Sequence, residues 1–309
     1  MPGAGSSPSS RRRASGGASR RAEPKNAAQA RRVRGASAPA PAPDDSYWRQ
    51  SMRPLHVLLF LLPLIVLYEV GSALFLADVA AGTRETIKAY RLMGDFFNVF
   101  GIAGLFMPGV ALVTVLLVWQ FLSGDRWVVR WNTIAGMAAE CVAWTLPLVV
   151  LSAASRSAAN MAPSGGIDPM AALNTWMAQV GPGPAPGLEA LSWQAKLSIS
   201  IGAGLYEEML FRLVGIALIH FVLRDLLGAR EVASSVLAVV GSAVIFALYH
   251  DLSNPAGSMN YFVFGFLTLA GCFLGAVYVL RGFGIVVGTH ALYDIVVLVL
   301  LTPGAHGHG

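Results

Sequence analysis

Residues 194–223 read QAKLSISIGAGLYEEMLFRLVGIALIHFVL, and this stretch places three charged side chains near the middle of an apolar run. The three are Glu207, Glu208 and Arg212. An apolar run of roughly 20 residues is long enough to cross a bilayer as a helix. Each charge costs about 2.5–3.5 kcal/mol at the bilayer centre on an insertion scale. The stretch therefore predicts a membrane helix whose charges must find partners.

The rest of the chain also indicates a membrane protein. Of its 309 residues, 55% are hydrophobic and 13% are charged, whereas a soluble domain carries about 25% charged residues. Too little polar surface remains to cover a soluble helix bundle. We expect an all-α fold, a polytopic transmembrane helix bundle of about seven spans. The predicted spans are 55–77, 104–122, 133–154, 194–223, 232–250, 259–280 and 283–301.

The first fifty residues differ from the remainder. Residues 1–50 are rich in Pro, Ala and Arg and contain 10 of the 22 lysines and arginines. A segment with so few large apolar side chains is expected to be disordered. Its basic residues, together with Arg49 and Arg53 beside the first span, predict a cytoplasmic N-terminus. The loop at 78–103 is expected outside despite three basic residues, and it is interpreted as an amphipathic interfacial helix.

Two of the three charges in the fourth span are placed to pair. Glu208 and Arg212 are four residues apart and share one face of a helix. Glu207 is rotated from Glu208 by about 100° and is less committed to Arg212. A carboxylate without a cation in a dry site suits a general acid or base. The alternative is a structural ion pair that holds helices together.

Two later spans carry histidines. The fifth span ends in FALYH, from Phe246 to His250, and the seventh contains HALYD, from His290 to Asp294. The structural alternatives are an interfacial position for the first histidine and a hydrogen bond between the second and the aspartate four residues on. Six ionisable side chains on three late spans indicate one shared site instead. A set of Glu, His and His suits activation of a water molecule.

The three motifs resemble those of one family. EEMLFR at 207–212 resembles the EExxxR motif of the CPBP intramembrane proteases, which include the CAAX prenyl endopeptidases and the Abi proteins. FALYH at 246–250 looks like the FxxxH motif of that family, and HALYD at 290–294 looks like its final HxxxN/D motif. The resemblance covers about residues 190–300. It implies an intramembrane endopeptidase, either a metalloendopeptidase or a glutamate protease, that cleaves a membrane-associated substrate.

The resemblance also implies a role for each residue. Glu207 would activate water, and Glu208 and Arg212 would support it. His250 and His290 would bind a metal or stabilise an oxyanion. The implied metal ligands are His250, His290 and Glu207, with zinc as the first choice of divalent ion and a metal-free mechanism as the alternative.

Asp294 departs from the pattern, because the CAAX proteases have Asn at this position. An Asn amide donates a hydrogen bond to an oxyanion, whereas an ionised Asp cannot. The resemblance therefore favours a metal-ligand or His-orienting role for Asp294.

These motifs divide the chain into four predicted parts: the tail at 1–50, N-terminal membrane helices and loops at 51–190, a CPBP-like protease core at 191–301, and a flexible end at 302–309. We expect an integral protein of the cytoplasmic membrane. Its partners would be membrane lipids and a protein or peptide substrate, lipidated or membrane-anchored, and no specific nucleic acid is expected.

Two other classes of function stay open. One is a non-catalytic membrane partner or immunity-type protein with a structural polar site. The other is an ion- or proton-coupled transporter, although the sequence shows no internal repeat. HExxH, GxSxG and GxGD motifs of other intramembrane proteases are absent from the sequence.

The predicted spans raise one geometric objection. At about 1.5 Å per residue, Glu207 and His250 lie roughly 25 Å from the inner ends of their spans, but His290 lies only about 10 Å from its own. The three residues are expected to meet only if the boundaries shift or a helix is broken near Gly282 and Gly284.

Overall fold

Apolar helices form most of the described structure. The computed structural model describes residues 46–78, 83–84, 92, 95, 107–160, 191–252 and 259–301. Most of the predicted tail, most of the loop at 78–103 and the end at 302–309 lie outside the described residues. The predictions of a disordered tail and of an interfacial helix therefore concern residues that are not described.

The helices follow one another as the hydrophobic pattern predicts, and the all-α fold is confirmed. They are α1 (Tyr47–Gln50), α2 (Pro54–Phe75), α3 (Met107–Ser123), α4 (Trp131–Asn160), α5 (193–226), α6 (Glu231–Tyr249), α7 (Tyr261–Arg281) and α8 (Phe283–Leu300). Two short strands, β1 (Ala77–Asp78) and β2 (Thr83–Arg84), pair in antiparallel fashion after α2. A helix satisfies its own backbone hydrogen bonds, which lipid cannot do.

Five of the described helices are long and apolar enough to cross a membrane. They are α2, the Trp131–Ser155 part of α4, α6, α7 and α8. Helix α3 has 17 residues and is shorter than these five. Helix α5 alternates between α-helical and π-helical geometry. The predicted count of seven spans is therefore approximate, while the integral membrane character is supported.

Helix α5 is irregular around its charged residues. Its α-helical first part, Trp193–Gly202, is followed by π-helical segments at Ala203–Glu207 and Met209–Ile216. Glu208 lies between the two π-helical segments. Such segments are frequent at functional sites, and here they surround the two adjacent carboxylates.

A single glycine joins α7 to α8. Gly282 has φ of +81°, a left-handed conformation that other residues adopt at a cost. Its neighbours Arg281 and Phe283 are both buried. The start of α8 therefore lies inside the protein.

Arg281 holds α1, α4 and α7 together. Its guanidinium binds the Glu140 carboxylate through Nε and through Nη2, which lies 2.6 Å from Oε2. The Tyr47 hydroxyl donates to the same Oε2 at 2.6 Å, and the guanidinium carbon lies 3.6 Å from the ring centroid of Trp48. No sequence motif pointed to this cluster, although Glu140 and Arg281 are both charges within or at the end of apolar runs.

Replacing Arg281 by Ala should lower the free energy of unfolding by about 3 kcal/mol, because the largely buried Glu140 carboxylate loses its cation. Unfolding in detergent micelles measures the change. The matched control is Arg224→Ala, since Arg224 pairs with Glu231 at an exposed position. That pair should contribute little, and equal losses in the two variants would contradict the assignment of Arg281 as a buried anchor.

Candidate active site

Three consecutive residues of α5 face three different parts of the protein. Tyr206 contacts α2, Glu207 faces His250 at the end of α6, and Glu208 contacts His290 in α8. Successive residues of a helix are separated by about 100° around its axis. One helix thus presents two adjacent carboxylates to two different histidines.

Glu208 forms a buried network with Arg212 and His290. Its Oε1 atom lies 2.9 Å from Arg212 Nη1 and 2.6 Å from His290 Nδ1. The side chains of Glu208 and Arg212 are 0% and 1% exposed, so solvent does not screen the pair. The predicted pairing of Glu208 with Arg212 is confirmed, and the bond to His290 extends it from α5 to α8.

Arg212 also joins α6 and α7 to this network. Its Nη2 donates to the Gly271 carbonyl oxygen at 3.3 Å, and its guanidinium carbon lies 4.5 Å from the ring centroid of Phe246. A Cβ on Gly271 would lie 3.0 Å from the Ala243 Cα. The missing side chain therefore permits the close approach of α6 and α7 beside the arginine.

Phe246 lies between the two histidines. Its ring centroid is 4.6 Å from that of His250 and 6.0 Å from that of His290, and it packs edge-on against Phe211 at 5.3 Å. Phe246 begins the FALYH motif, from which no role for this residue was predicted. The only signal was its position four residues before His250.

His250 and Glu207 form the more accessible part of the site. His250 Nδ1 lies 2.8 Å from the Phe246 carbonyl oxygen. A carbonyl only accepts, so Nδ1 donates and Nε2 is the nitrogen that faces Glu207. The distance from Nε2 to Glu207 Oε2 is 3.8 Å, which exceeds a direct hydrogen bond and suits a bridging water molecule.

Asp294 approaches the other nitrogen of His290. Its Oδ2 atom lies 3.6 Å from His290 Nε2, beyond the length of a direct hydrogen bond. An ionised carboxylate opposite an unprotonated nitrogen would place two lone pairs face to face. The approach therefore requires a proton on one of the two groups or a bridging water. The orienting role of Asp294 stays a prediction.

The donor atoms in this arrangement do not fit the implied metal set. Among the described residues, no three His, Cys, Asp or Glu side chains are grouped so that they could hold a metal ion. Both ring nitrogens of His290 face other carboxylates, and only Glu207 and His250 face each other. A metal ligated by all three stays a prediction, and no step below is routed through it.

The geometric objection raised by the predicted spans is wrong. His290 reaches Glu208, and its ring lies beside Phe246 on the helix that carries His250. The estimate assumed that all spans begin at one membrane plane. Helix α8 begins inside the protein, because Phe283 is buried directly after the single-residue connection at Gly282. The number of residues from the start of α8 to His290 therefore does not measure the distance of His290 from a membrane surface.

Replacing Arg212 by Ala should lower the free energy of unfolding by about 3–5 kcal/mol, because the fully buried Glu208 keeps its charge without its cation. The double variant Glu208→Gln/Arg212→Met serves as the control, since it removes both charges and should recover much of the loss. Unfolding in detergent measures both. A double variant less stable than Arg212→Ala would contradict the ion-pair assignment.

Comparison with known proteins agrees with these motifs. Residues 190–296, about a third of the chain, match the family model described as Type II CAAX prenyl endopeptidase Rce1-like. The matched segment contains all six residues of the candidate site. Comparisons with curated proteins and with solved structures gave no match. The match to residues 190–296 is consistent with a CPBP family intramembrane protease.

Proposed function

We propose that this site hydrolyses a peptide bond of a membrane-associated protein or peptide with water activated by Glu207. The observation that carries the proposal is the facing pair of Glu207 Oε2 and His250 Nε2, 3.8 Å apart. A water between them would donate one hydrogen bond to each group. The family match supports an intramembrane endopeptidase, and the roles of the individual residues are our assignment.

In the proposed reaction, Glu207 removes a proton from this water as the oxygen attacks the carbonyl carbon of the substrate. His250 accepts a hydrogen bond from the attacking water and orients it. The carbonyl oxygen becomes an oxyanion, and a protonated His290 Nε2 would stabilise it. Glu207 then returns the proton to the amide nitrogen. The C–N bond breaks, giving a carboxylic acid and an amine.

The network around Glu208 supports this chemistry without taking part in it. Glu208 is fully buried and contacts both Arg212 and His290 through its Oε1 atom, so we assign it a structural role. Its contact with Nδ1 fixes the ring of His290 beside Phe246. The two adjacent carboxylates thus have separate tasks, one chemical and one structural.

Replacing Glu207 by Gln should abolish cleavage, because the amide cannot accept the water proton, while folding and insertion stay intact. The assay uses membrane-anchored, quenched-fluorescent peptides in proteoliposomes, offered with and without a prenyl group. Glu231→Gln is the matched control, because Glu231 is exposed and pairs with Arg224. Cleavage retained in Glu207→Gln would overturn the assignment. A wild-type protein that cleaves neither substrate would favour the non-catalytic membrane partner.

Whether the protein binds a metal ion is tested by a separate measurement. Metal content is determined for detergent-purified wild-type protein and for the double variant His250→Ala/His290→Ala. Because His250, His290 and Glu207 are not grouped so that they could hold one metal ion, we expect the two samples to contain equally little metal. About one zinc per chain that is lost in a folded double variant would contradict this expectation and establish a metalloprotease.

A further inference from the structure

The first membrane helix carries a carboxylate that the proposed mechanism does not use. Glu69 lies in α2, within the run YEVGS that follows a long apolar stretch, and its side chain is half-buried. An ionisable residue inside a membrane helix is costly and usually functional. Glu69 also lies outside the segment that matches the family model, residues 190–296.

Glu69 contacts the residue that precedes Glu207. The Tyr206 hydroxyl donates to Glu69 Oε1 at 2.9 Å. Tyr206 is fully buried, and the next peptide bond leads to Glu207. The side chains of Tyr206 and Glu207 leave the helix in different directions, so the hydrogen bond lies on another side of α5 from His250.

The packing around this hydrogen bond is tight. A Cβ on Gly109 of α3 would lie 2.8 Å from Glu69 Oε1 and 3.3 Å from the Tyr206 hydroxyl. The ring of Tyr68 meets that of Tyr206 edge-on at 5.1 Å. Helices α2 and α3 therefore enclose the contact, and Gly109 leaves the space that the two polar groups occupy.

We infer that Glu69 is a positioning residue for Glu207, an inference that rests on the proposed function. Glu208 is held by Arg212 and His290 on one side of α5, and Tyr206 is held by Glu69 on another. These two contacts fix the rotation of α5 about its axis. Glu207 lies between them, so its position relative to His250 depends on both.

If Glu69 positions Glu207, two variants that each remove the hydrogen bond between Tyr206 and Glu69 should lose turnover. Glu69→Leu and Tyr206→Phe should each lower kcat about tenfold, the order of one hydrogen bond to a charged group. KM should change little, because neither residue touches the substrate. The double variant should be no worse than either single variant, since both remove the same contact.

Glu69→Gln is the matched control. Its amide oxygen still accepts from the Tyr206 hydroxyl, so kcat should stay near the wild-type value. Wild-type kcat in Glu69→Leu, additive losses in the double variant, or a Glu69→Gln variant as slow as Glu69→Leu would each overturn the inference. A slow Glu69→Gln variant would mean that the negative charge of Glu69 is needed, and that a neutral hydrogen-bond acceptor at this position is not sufficient.

A second measurement works without turnover and separates this inference from the proposed function. Labelling of Glu207 by an apolar carbodiimide, read by peptide mass spectrometry, reports the surroundings of that carboxyl group. The labelling rate should change in Glu69→Leu and Tyr206→Phe but not in Glu69→Gln. That pattern in a protein that cleaves nothing would keep the positioning role and remove the protease assignment. Identical labelling in all variants would overturn the positioning role.

Discussion

A buried carboxylate must have a partner, and the arrangement of the late helices follows from how Glu208 finds its own. Its Oε1 atom forms an ion pair with Arg212 on the same helix and lies within hydrogen-bond distance of His290 on α8. Arg212 in turn binds the Gly271 carbonyl of α7 and the face of Phe246 on α6. Because an unpaired charge in such surroundings is strongly unfavourable, four helices are held at the distances that these contacts require.

The helices can approach each other this closely only where a glycine leaves no side chain between them. A Cβ on Gly204 of α5 would lie 2.7 Å from the Cβ of Ala291 and 2.9 Å from the Val287 carbonyl oxygen of α8. Gly271 makes the equivalent approach between α6 and α7. In lipid, association of helices depends on such close packing rather than on a hydrophobic driving force. The small residues and the polar network are therefore two requirements of one arrangement.

The sequence predicted contacts within one helix and a shared site on three late spans, but not which atoms of two helices meet. The apolar runs predicted most helix boundaries to within a few residues, and spacing by four predicted the bond from Glu208 to Arg212. The bond from Glu208 to His290 and the pair of Glu140 with Arg281 depend on helix rotation and tilt, which a single sequence does not contain. The error about the depth of His290 had the same origin, since it assumed a common plane for all helix ends.

The same reasoning explains why two glutamates stand next to each other. Glu208 is 0% exposed and contacts a guanidinium and an imidazole, so bulk water does not reach it. Separation by one residue turns the second carboxylate away by about 100°, to a side where His250 is its neighbour. Tyr206, one residue before Glu207, leaves the helix in a third direction and donates a hydrogen bond to Glu69. The orientation of the reactive group is thus shared between the matched domain and the helices that precede it.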